Sequence, residues 1–219
     1  MFIGHFAAAF GAKRAAPGPS LGVLFAAAQL PDLVWPVFLL TGWERVRVTP
    51  SSNPFLVLDF TYYPWTHSLM AVVGWGLLAG AGYVALARDR AGGVAVGLLV
   101  VSHWVPDFVT HRPDLPLYPG GAARVGLGLW HSVGATIIIE TGMFAAGIAL
   151  YLRATRARDR TGQYALWALV ALLLVLYAAN VLAPPPQDVR GLAWGALAGW
   201  LLPLWAAWVD RHRSGRAAR

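Results

Sequence analysis

The chain has 219 residues, of which 58% are hydrophobic and 12% are charged, against about 25% charged residues in a typical soluble domain. This composition excludes a soluble enzyme and a disordered tail. The net charge of +7 comes from basic residues in short clusters between apolar runs, which is typical of membrane orientation and not of a nucleic-acid-binding face, so no nucleic-acid partner is expected.

Six apolar stretches are long enough to cross a bilayer, which takes about 20 residues. In chain order they lie near residues 20–40, 66–87, 91–109, 125–152, 163–183 and 189–209. The apolar segment 2–12 is too short to cross. The sequence therefore predicts an all-α, polytopic membrane helix bundle of about six transmembrane helices plus a short half-inserted N-terminal helix. We expect one integral membrane domain over 1–219, with a metal-site core in 1–152 and a two-helix scaffold and basic tail in 153–219.

The basic residues predict the orientation of these spans, because cytoplasmic segments are enriched in Lys and Arg. Alternate connecting segments contain 12 and 5 basic residues. The larger set is Lys13, Arg14, Arg88, Arg90, Arg153, Arg156, Arg158, Arg160, Arg211, Arg213, Arg216 and Arg219. The smaller set is Arg45, Arg47, Arg112, Arg124 and Arg190. The predicted location is the cell (inner) membrane, multi-pass, with both termini cytoplasmic.

Ionisable side chains inside membrane spans are costly and by default indicate function. Here they concentrate in the outer halves or at the outer ends of the first four spans. They are Asp32, His67, His103, Asp107, His111 and His131. The last two predicted spans contain no His, Asp or Glu. We therefore expect the chemistry in the first four spans and a scaffold role for the last two.

The spacing of His103 and Asp107 places both side chains on one helix face, where an imidazole and a carboxylate can hold zinc or a similar divalent ion. The chain has no cysteine, so His and carboxylates are the expected ligands. His5 joins this group for a geometric reason. A helix rising from Lys13 would lift His5 by about 12 Å, where it can meet Asp32 within the membrane.

Each of these residues has a structural alternative. Asp32 and Asp107 need a partner in the membrane, and an arginine on the same side would serve instead of a metal. His67 could simply begin a helix at the interface, with Thr66 as its N-cap. His111 and His131 could each be an ordinary histidine at the membrane interface. Glu140, inside the fourth span, falls on the opposite helix face from the histidine that begins it, and we interpret it as a structural carboxylate outside the ligand set.

The order of several short motifs resembles the membrane-bound metal-dependent hydrolase family, also called the LexA-binding, inner membrane-associated hydrolases. The motifs are Gly4-His5, Pro31-Asp32, Thr66-His67-Ser68, Ser102-His103 with Asp107, Thr110, and the segment 115–119. The resemblance covers about residues 1–120. The ligand order is also similar to that of a more distant group, the zinc-dependent phospholipase C and single-strand nuclease superfamily.

This resemblance implies a ligand set and a metal. The implied ligands are His5, Asp32, His67, His103, Asp107, His111 and His131. The superfamily holds up to three zinc ions, but its last motif would place a carboxylate at position 135, where this chain has Ala135. One or two divalent ions, with zinc as the expected metal, are therefore implied here.

The leading hypothesis is an integral-membrane metal-dependent hydrolase in which metal-activated water is the nucleophile. Asp32 would be the base or a bridging ligand, and Arg112 and Arg124 would hold an anionic group of a phosphoester or lipid-linked substrate. One alternative is a transporter or permease that uses intramembrane Asp, His and Glu side chains, with Glu140 as its main support. Another is a non-catalytic metal-binding membrane protein or membrane partner protein.

Overall fold

The computed structural model describes residues 1–215 and is mostly helical. The helices are α1 (Ile3–Ala15), α2 (Leu21–Ala28), α3 (Leu30–Leu40), α4 (Pro64–His67), α5 (Leu69–Ala87), α6 (Arg90–Ser102), α7 (Trp104–Thr110), α8 (Val133–Ala154), α9 (Arg160–Leu182), α10 (Val189–Leu197) and α11 (Leu201–Arg211). The strands are β1 (Arg45–Val48), β2 (Leu58–Tyr62), β3 (Leu115–Pro116), β4 (Arg124–Val125), β5 (Thr155–Ala157) and β6 (Arg213–Gly215). Short 3₁₀ turns cover Pro54–Leu56, Leu129–His131 and Ala198–Trp200.

The long apolar helices identify a membrane protein by length and composition. Within residues 1–215, the five segments Leu69–Ala87, Arg90–Thr110, Val133–Ala154, Arg160–Leu182 and Val189–Arg211 are long and apolar enough to cross a membrane. A sixth span results if α2 and α3, which meet at an angle of 54°, count as one broken span. The predicted set of spans corresponds to these segments. Arg216 and Arg219, which the orientation argument used, lie outside the described residues.

The predicted span 125–152 begins too early. Residues 124–132 form strand β4 and a 3₁₀ turn, and α8 begins only at Val133. The reason lies in two glycines, because Gly126 and Gly128 have φ angles of +154° and +74°. Such left-handed backbone favours glycine and is incompatible with a continuing helix. Apolar composition alone did not reveal this turn.

Two helix breaks bring polar residues into the bundle. Gln29 separates α2 from α3, whose first turn contains Pro31 and Asp32. His103 separates α6 from α7. A proline disfavours helical backbone in the residue before it and cannot donate a backbone hydrogen bond, so Pro31 explains the bend between α2 and α3. The bends turn Asp32 and His103 toward each other inside the bundle.

Helix α1 lies in the centre of the molecule. It has 13 residues, which is too few to cross a bilayer, and it packs against α8, α2 and α6. Ile3, Phe6 and Phe10 are each at most 2% exposed within the largest hydrophobic core. Gly147 of α8 allows the close approach of α1, since a Cβ there would lie 2.5 Å from the carbonyl oxygen of Ala7. This packing fixes the height of His5 in the bundle.

Three two-stranded antiparallel pairs complete the fold at the two ends of the bundle. The pairs β1–β2 and β3–β4 lie at the end where α3 and α7 finish, and we call this the hairpin end. The pair β5–β6 joins the end of α8 to the chain after α11 at the opposite end. The strands are short and peripheral, so the core remains helical.

Candidate metal centre

Five polar residues that lie far apart in the sequence meet inside the bundle. His5 comes from α1, Asp32 from α3, His67 from α4, His103 from the break between α6 and α7, and Asp107 from α7. We call these five residues the His/Asp cluster. Their ligand atoms form two groups, His5–His103–Asp107 and Asp32–His67–His103, and within each group the atoms lie within 4.8 Å of one another. His103 belongs to both groups.

Asp107 is buried and uses both carboxylate oxygens within this cluster. Its Oδ1 lies 3.0 Å from Nε2 of His5 and 2.7 Å from the amino group of Met1, which donates a hydrogen bond to it. Its Oδ2 lies 3.1 Å from Nε2 of His103. Two imidazoles from distant helices are thereby directed at one carboxylate.

Asp32 is the accessible acid of the cluster. Its side chain is 39% exposed, whereas that of Asp107 is 3% exposed. The Oδ1 atom of Asp32 lies 3.2 Å from Nε2 of His67 and 3.8 Å from Nε2 of His103. A group that enters the site from outside therefore meets Asp32 before the other acid.

The hydrogen-bond partner of Nδ1 shows which ring nitrogen of His103 carries the proton. Nδ1 of His103 lies 2.7 Å from the carbonyl oxygen of Ala28. A carbonyl only accepts, so Nδ1 carries the proton. Ala28 is the last residue of α2, and helix ends leave such carbonyls without an intrahelical donor. The break after α2 thus provides the acceptor that orients His103.

A second chain of hydrogen bonds orients His67. Nδ1 of His67 lies 2.7 Å from the Thr66 hydroxyl, which donates a hydrogen bond of 2.6 Å to Oε2 of Glu44. Thr66 is therefore not the N-cap of the following helix; Ser68 is, accepting from the backbone N–H of Ala71. Burial raises the pKa of the Glu44 carboxyl above its ordinary value, while His67 and hydrogen bonds from the 65–66 segment oppose that shift.

These contacts show that the cluster suits a cation. In neutral His103, with the proton on Nδ1, Nε2 carries a lone pair and lies 3.1 Å from Oδ2 of Asp107 and 3.8 Å from Oδ1 of Asp32. This buried nitrogen makes no hydrogen bond in the described structure, and neither does Nδ1 of His5. A lone pair this close to two carboxylates is favourable only if a proton or a metal ion lies between them. Because imidazole nitrogens and carboxylate oxygens are common metal ligands, the cluster can hold a metal ion.

A cavity of about 210 Å³ opens beside the cluster. Polar groups on its wall come from Met1, Asp32, Glu140 and Asn180. Its apolar wall includes Pro54, Phe55, Val57, Leu58, Phe60 and Trp130, mostly from the loop and strand at the hairpin end. The cavity therefore joins an acidic floor to an aromatic and aliphatic wall.

His111 lies in a separate network next to the cluster. Its Nδ1 is 2.9 Å from Oδ1 of Asp114, which also accepts from the Tyr63 hydroxyl at 3.0 Å. Burial would raise the pKa of Asp114, but hydrogen bonds from His111, Arg112 and Tyr63 outweigh it and keep that pKa below its ordinary value. Arg112 also binds Asp59 at 2.6 Å. This network holds the β2 strand against the end of α7.

The other predicted site residues are not brought into the two groups. His131 is exposed and its Nδ1 donates to the carbonyl oxygen of Gly128 at 2.9 Å. Arg124 is exposed on β4, and neither it nor Arg112 is among the residues that line the cavity within residues 1–215. Ligand roles for His111 and His131, and anion binding by Arg112 and Arg124, stay predictions.

Glu140 caps the beginning of α1. Its Oε2 accepts from the backbone N–H groups of Phe2 at 3.0 Å and Gly4 at 3.4 Å. Helix starts leave such N–H groups unpaired, and a carboxylate there is favourable. It belongs to neither candidate ligand group. This position agrees with the structural role that the sequence suggested for Glu140.

Sequence reasoning missed Glu44 and Asp114. Both lie in loops, where acidic residues are common and carry no penalty that would mark them as functional. Asp114 had a weak local signal, because it follows His111 by three residues. Glu44 had none, since its partners Trp65 and Thr66 are about 20 residues away.

Comparison with protein-family models, curated proteins and solved structures gives no match to this chain.

Proposed function

We propose that the protein is an integral-membrane hydrolase that uses one or two divalent metal ions, zinc in the first instance, held by the His/Asp cluster. One observation carries this proposal. The Nε2 atoms of His67 and His103 lie 3.2 and 3.8 Å from Oδ1 of Asp32, and the opposite nitrogen of each ring contacts an oxygen atom that orients it. Metal-ligating histidines are typically oriented in this way by a partner on their other nitrogen.

We assign different roles to Asp32 and Asp107 because they differ in exposure. When bound, a divalent ion supplies Lewis acidity and lowers the pKa of water toward neutrality. Asp32 reaches the cavity and is the group that would accept a proton from the attacking water at its carboxylate. Asp107 is buried between His5 and His103 and would hold the ligands in place. The resemblance to membrane-bound metal-dependent hydrolases agrees with this division.

The cavity supports an amphipathic substrate. Its acidic floor lies beside the cluster, and its wall is aromatic and aliphatic. A phosphoester or lipid-linked substrate would place its reacting group near Asp32 and its apolar part against Phe60 and Trp130. Arg124, exposed on β4 at the same end of the molecule, is available to an anionic group. Arg112 is less available because it is paired with Asp59 and Asp114.

For the location, we propose the cell (inner) membrane with both termini in the cytoplasm. The support is the distribution of basic residues, 12 against 5 between alternate connecting segments. This orientation places the hairpin end and the cavity on the outer side. The substrate would then reach the site from the outer leaflet or from outside the cell.

A transporter is the second candidate. Asp32 and Glu140 line one cavity within an otherwise apolar bundle, and such acids also form ion pathways. This candidate predicts ion-dependent uptake of a solute by reconstituted vesicles, and it does not require bound metal. A protein that binds metal without catalysis would show metal but no hydrolysis.

The test is metal content by elemental mass spectrometry on protein purified in detergent. The wild type is compared with His103→Gln, which removes the residue shared by both ligand groups, and with His212→Gln as control, because His212 pairs with Asp159 at the opposite end of the bundle. We expect one or two equivalents of zinc or another divalent metal in the wild type and in His212→Gln, and a loss in His103→Gln. Absence of metal from folded wild-type protein would overturn the proposal.

Hydrolysis is measured on the same samples with bis(4-nitrophenyl) phosphate and with phospholipid in mixed micelles. Activity that follows metal content across the three proteins supports a hydrolase. Stoichiometric metal without turnover of either probe would contradict phosphoester hydrolysis and favour the non-catalytic alternative.

A further inference from the structure

Glu44 is a buried carboxylate with three hydrogen-bond donors. It lies just before β1 and is 1% exposed. Its Oε1 accepts from the backbone N–H groups of Trp65 at 2.7 Å and Thr66 at 2.9 Å, and its Oε2 accepts from the Thr66 hydroxyl at 2.6 Å. A carboxylate surrounded only by donors is held in its acceptor form. Glu44 itself does not contact Asp32 or any other member of the cluster within hydrogen-bond distance in the described structure.

The Thr66 hydroxyl has a single proton, so it can donate to only one of its two partners, Glu44 and His67, and must accept from the other. Because the hydroxyl donates to Glu44, its oxygen is left to accept from Nδ1 of His67 at 2.7 Å. Nδ1 of His67 then carries a proton. In the neutral ring this leaves the lone pair on Nε2, which lies 3.2 Å from Oδ1 of Asp32.

We propose that Glu44 is a positioning residue that sets the tautomer of His67 through Thr66, so that Nε2 is free to bind a cation beside Asp32. The inference rests on the proposed metal site. The direction of the hydrogen bonds is the essential feature, since the same three groups with reversed polarity would place the proton on Nε2. A protonated Nε2 is unable to act as a ligand.

The isosteric substitution Glu44→Gln reverses this polarity. The two backbone N–H groups require an oxygen acceptor, so the carbonyl oxygen of the introduced amide would face them and its NH₂ group would face Thr66. The hydroxyl would then accept from the amide and donate to Nδ1 of His67. The proton of His67 would move to Nε2, which would block the atom proposed to bind the cation. The side chain at position 44 would keep its shape.

The direct readout is the ¹⁵N spectrum of histidine side chains in metal-free protein labelled with ¹⁵N-histidine, with the His67 signals identified from a His67→Gln sample. We expect Nδ1 of His67 to carry a proton in the wild type and to have lost it in Glu44→Gln, where Nε2 alone would be protonated. Zinc affinity is measured by competition with a chelator. We expect zinc binding to weaken about 10–100-fold, the range typical for loss of a partner that orients a metal ligand.

Two threonine variants separate the relay from a general loss of packing. Thr66→Val removes the hydroxyl, so the tautomer bias and part of the zinc affinity should be lost. Thr136→Val is the matched control, because Thr136 is equally buried but its hydroxyl bonds to Leu129 and Ser132 near the start of α8. If Glu44→Gln does not fold, Thr66→Val tests the relay alone.

The outcomes distinguish the relay from the metal site. Unchanged ¹⁵N signals and zinc affinity in folded Glu44→Gln would overturn the inference, because Glu44 would then have no influence on His67. If the wild type binds no zinc but its tautomer changes in Glu44→Gln, the relay stands and the metal-dependent function fails. If zinc binds and both Glu44→Gln and Thr66→Val leave the tautomer unchanged, the metal site stands and the relay fails.

Discussion

The imidazole rings of His5 and His103 stack in nearly parallel planes, with centroids 3.7 Å apart and an interplanar angle of 7°. Their Nε2 atoms reach the two oxygens of Asp107, at 3.0 and 3.1 Å. Two stacked imidazolium cations at this distance would repel each other strongly in a buried site. At least one ring is therefore neutral, which is the state required of a metal ligand.

We predict that His5→Phe separates the packing role of this residue from its ligand role. Phenylalanine preserves a ring against His103 but lacks Nε2, so α1 should keep its place while one ligand group loses a member. Metal content should fall by about one equivalent if each group holds an ion, and zinc affinity should fall if both groups share one. Elemental mass spectrometry and chelator competition measure these two quantities.

His212→Phe is the control for this substitution, because His212 pairs with Asp159 at the opposite end of the bundle and belongs to neither ligand group. It should leave metal content and zinc affinity unchanged. A His5→Phe protein with wild-type metal content and affinity would remove His5 from the ligand set.

The helical framework was largely predictable from the sequence because apolar runs of about 20 residues have few other uses. The error at 125–132 arose where two glycines adopt left-handed backbone inside an apolar run. The strand pairs were not predicted either. Strand β5 directly follows α8, strand β6 begins two residues after the end of α11, and the two pair across more than 50 residues of sequence, a relationship that no local pattern contains.

The cluster was predictable for a different reason. Asp32, His67, His103 and Asp107 stand out because a membrane penalises ionisable groups, so their presence there requires an explanation. The membrane penalty does not apply in loops, where Glu44 and Asp114 lie. It also does not predict which group orients each histidine: Nδ1 of His103 donates to the backbone carbonyl of Ala28, which any residue at that position would supply.

The close contact of α1 and α8 leads to a second prediction. A Cβ at Gly147 would lie 2.5 Å from the carbonyl oxygen and 2.8 Å from Cα of Ala7, so Gly147→Ala must push the two helices apart. Overpacking of this kind costs about 1–3 kcal/mol, or roughly 2–12 °C in the melting temperature (Tm) for a chain of this size. Since α1 carries His5, zinc affinity should fall as well.

Gly142→Ala is the matched control on the same helix. Gly142 is exposed and a Cβ there meets nothing within 4 Å, so alanine should be neutral or stabilising through its higher helix propensity. Equal effects of the two substitutions on Tm would show that the α1–α8 contact is not tight. Melting curves in one detergent measure both.

A buried ion pair closes the end of the bundle opposite the hairpins, and it carries a third prediction. Nζ of Lys13 donates to Oδ2 of Asp210 at 2.8 Å, and the Tyr151 hydroxyl donates to Oδ1 at 3.0 Å. Lys13→Met leaves the carboxylate buried without its cation, which costs about 3–5 kcal/mol. We expect Tm to fall by roughly 6–20 °C.

The double variant Lys13→Met with Asp210→Asn should recover most of that loss, because the neutral amide can accept from the backbone N–H of Leu21 through its oxygen and donate to the Tyr151 hydroxyl oxygen through its NH₂ group. Arg14→Met, which changes the exposed neighbour of Lys13, should have little effect. If the double variant is no more stable than Lys13→Met, the destabilisation comes from lost packing and not from an unpaired charge.

The last prediction concerns pH and the junction between α9 and the segment after α11. Asp159 caps α9 through the backbone N–H of Gly162 at 2.7 Å and accepts from Nδ1 of His212 at 2.8 Å. The hydrogen bond from His212, together with the cap, holds the pKa of Asp159 below its ordinary value. A lowered folded-state pKa stabilises the protein above the unfolded pKa, and this contribution is lost as the pH falls through the folded pKa.

Asp159→Asn keeps the cap, because asparagine is an equally good N-cap, and removes only the charge that pairs with His212. We expect a lower Tm than wild type near pH 7, with the difference shrinking as the pH falls below the ordinary range of an aspartate pKa and through the lowered pKa of Asp159. Asp188→Asn is the control, since Asp188 caps α10 through Gly191 in the same way. At low pH the protonated Asp159 and an asparagine are both uncharged, so a Tm difference caused by the charge must disappear. A difference that stays constant down to low pH would therefore contradict the role of the charge.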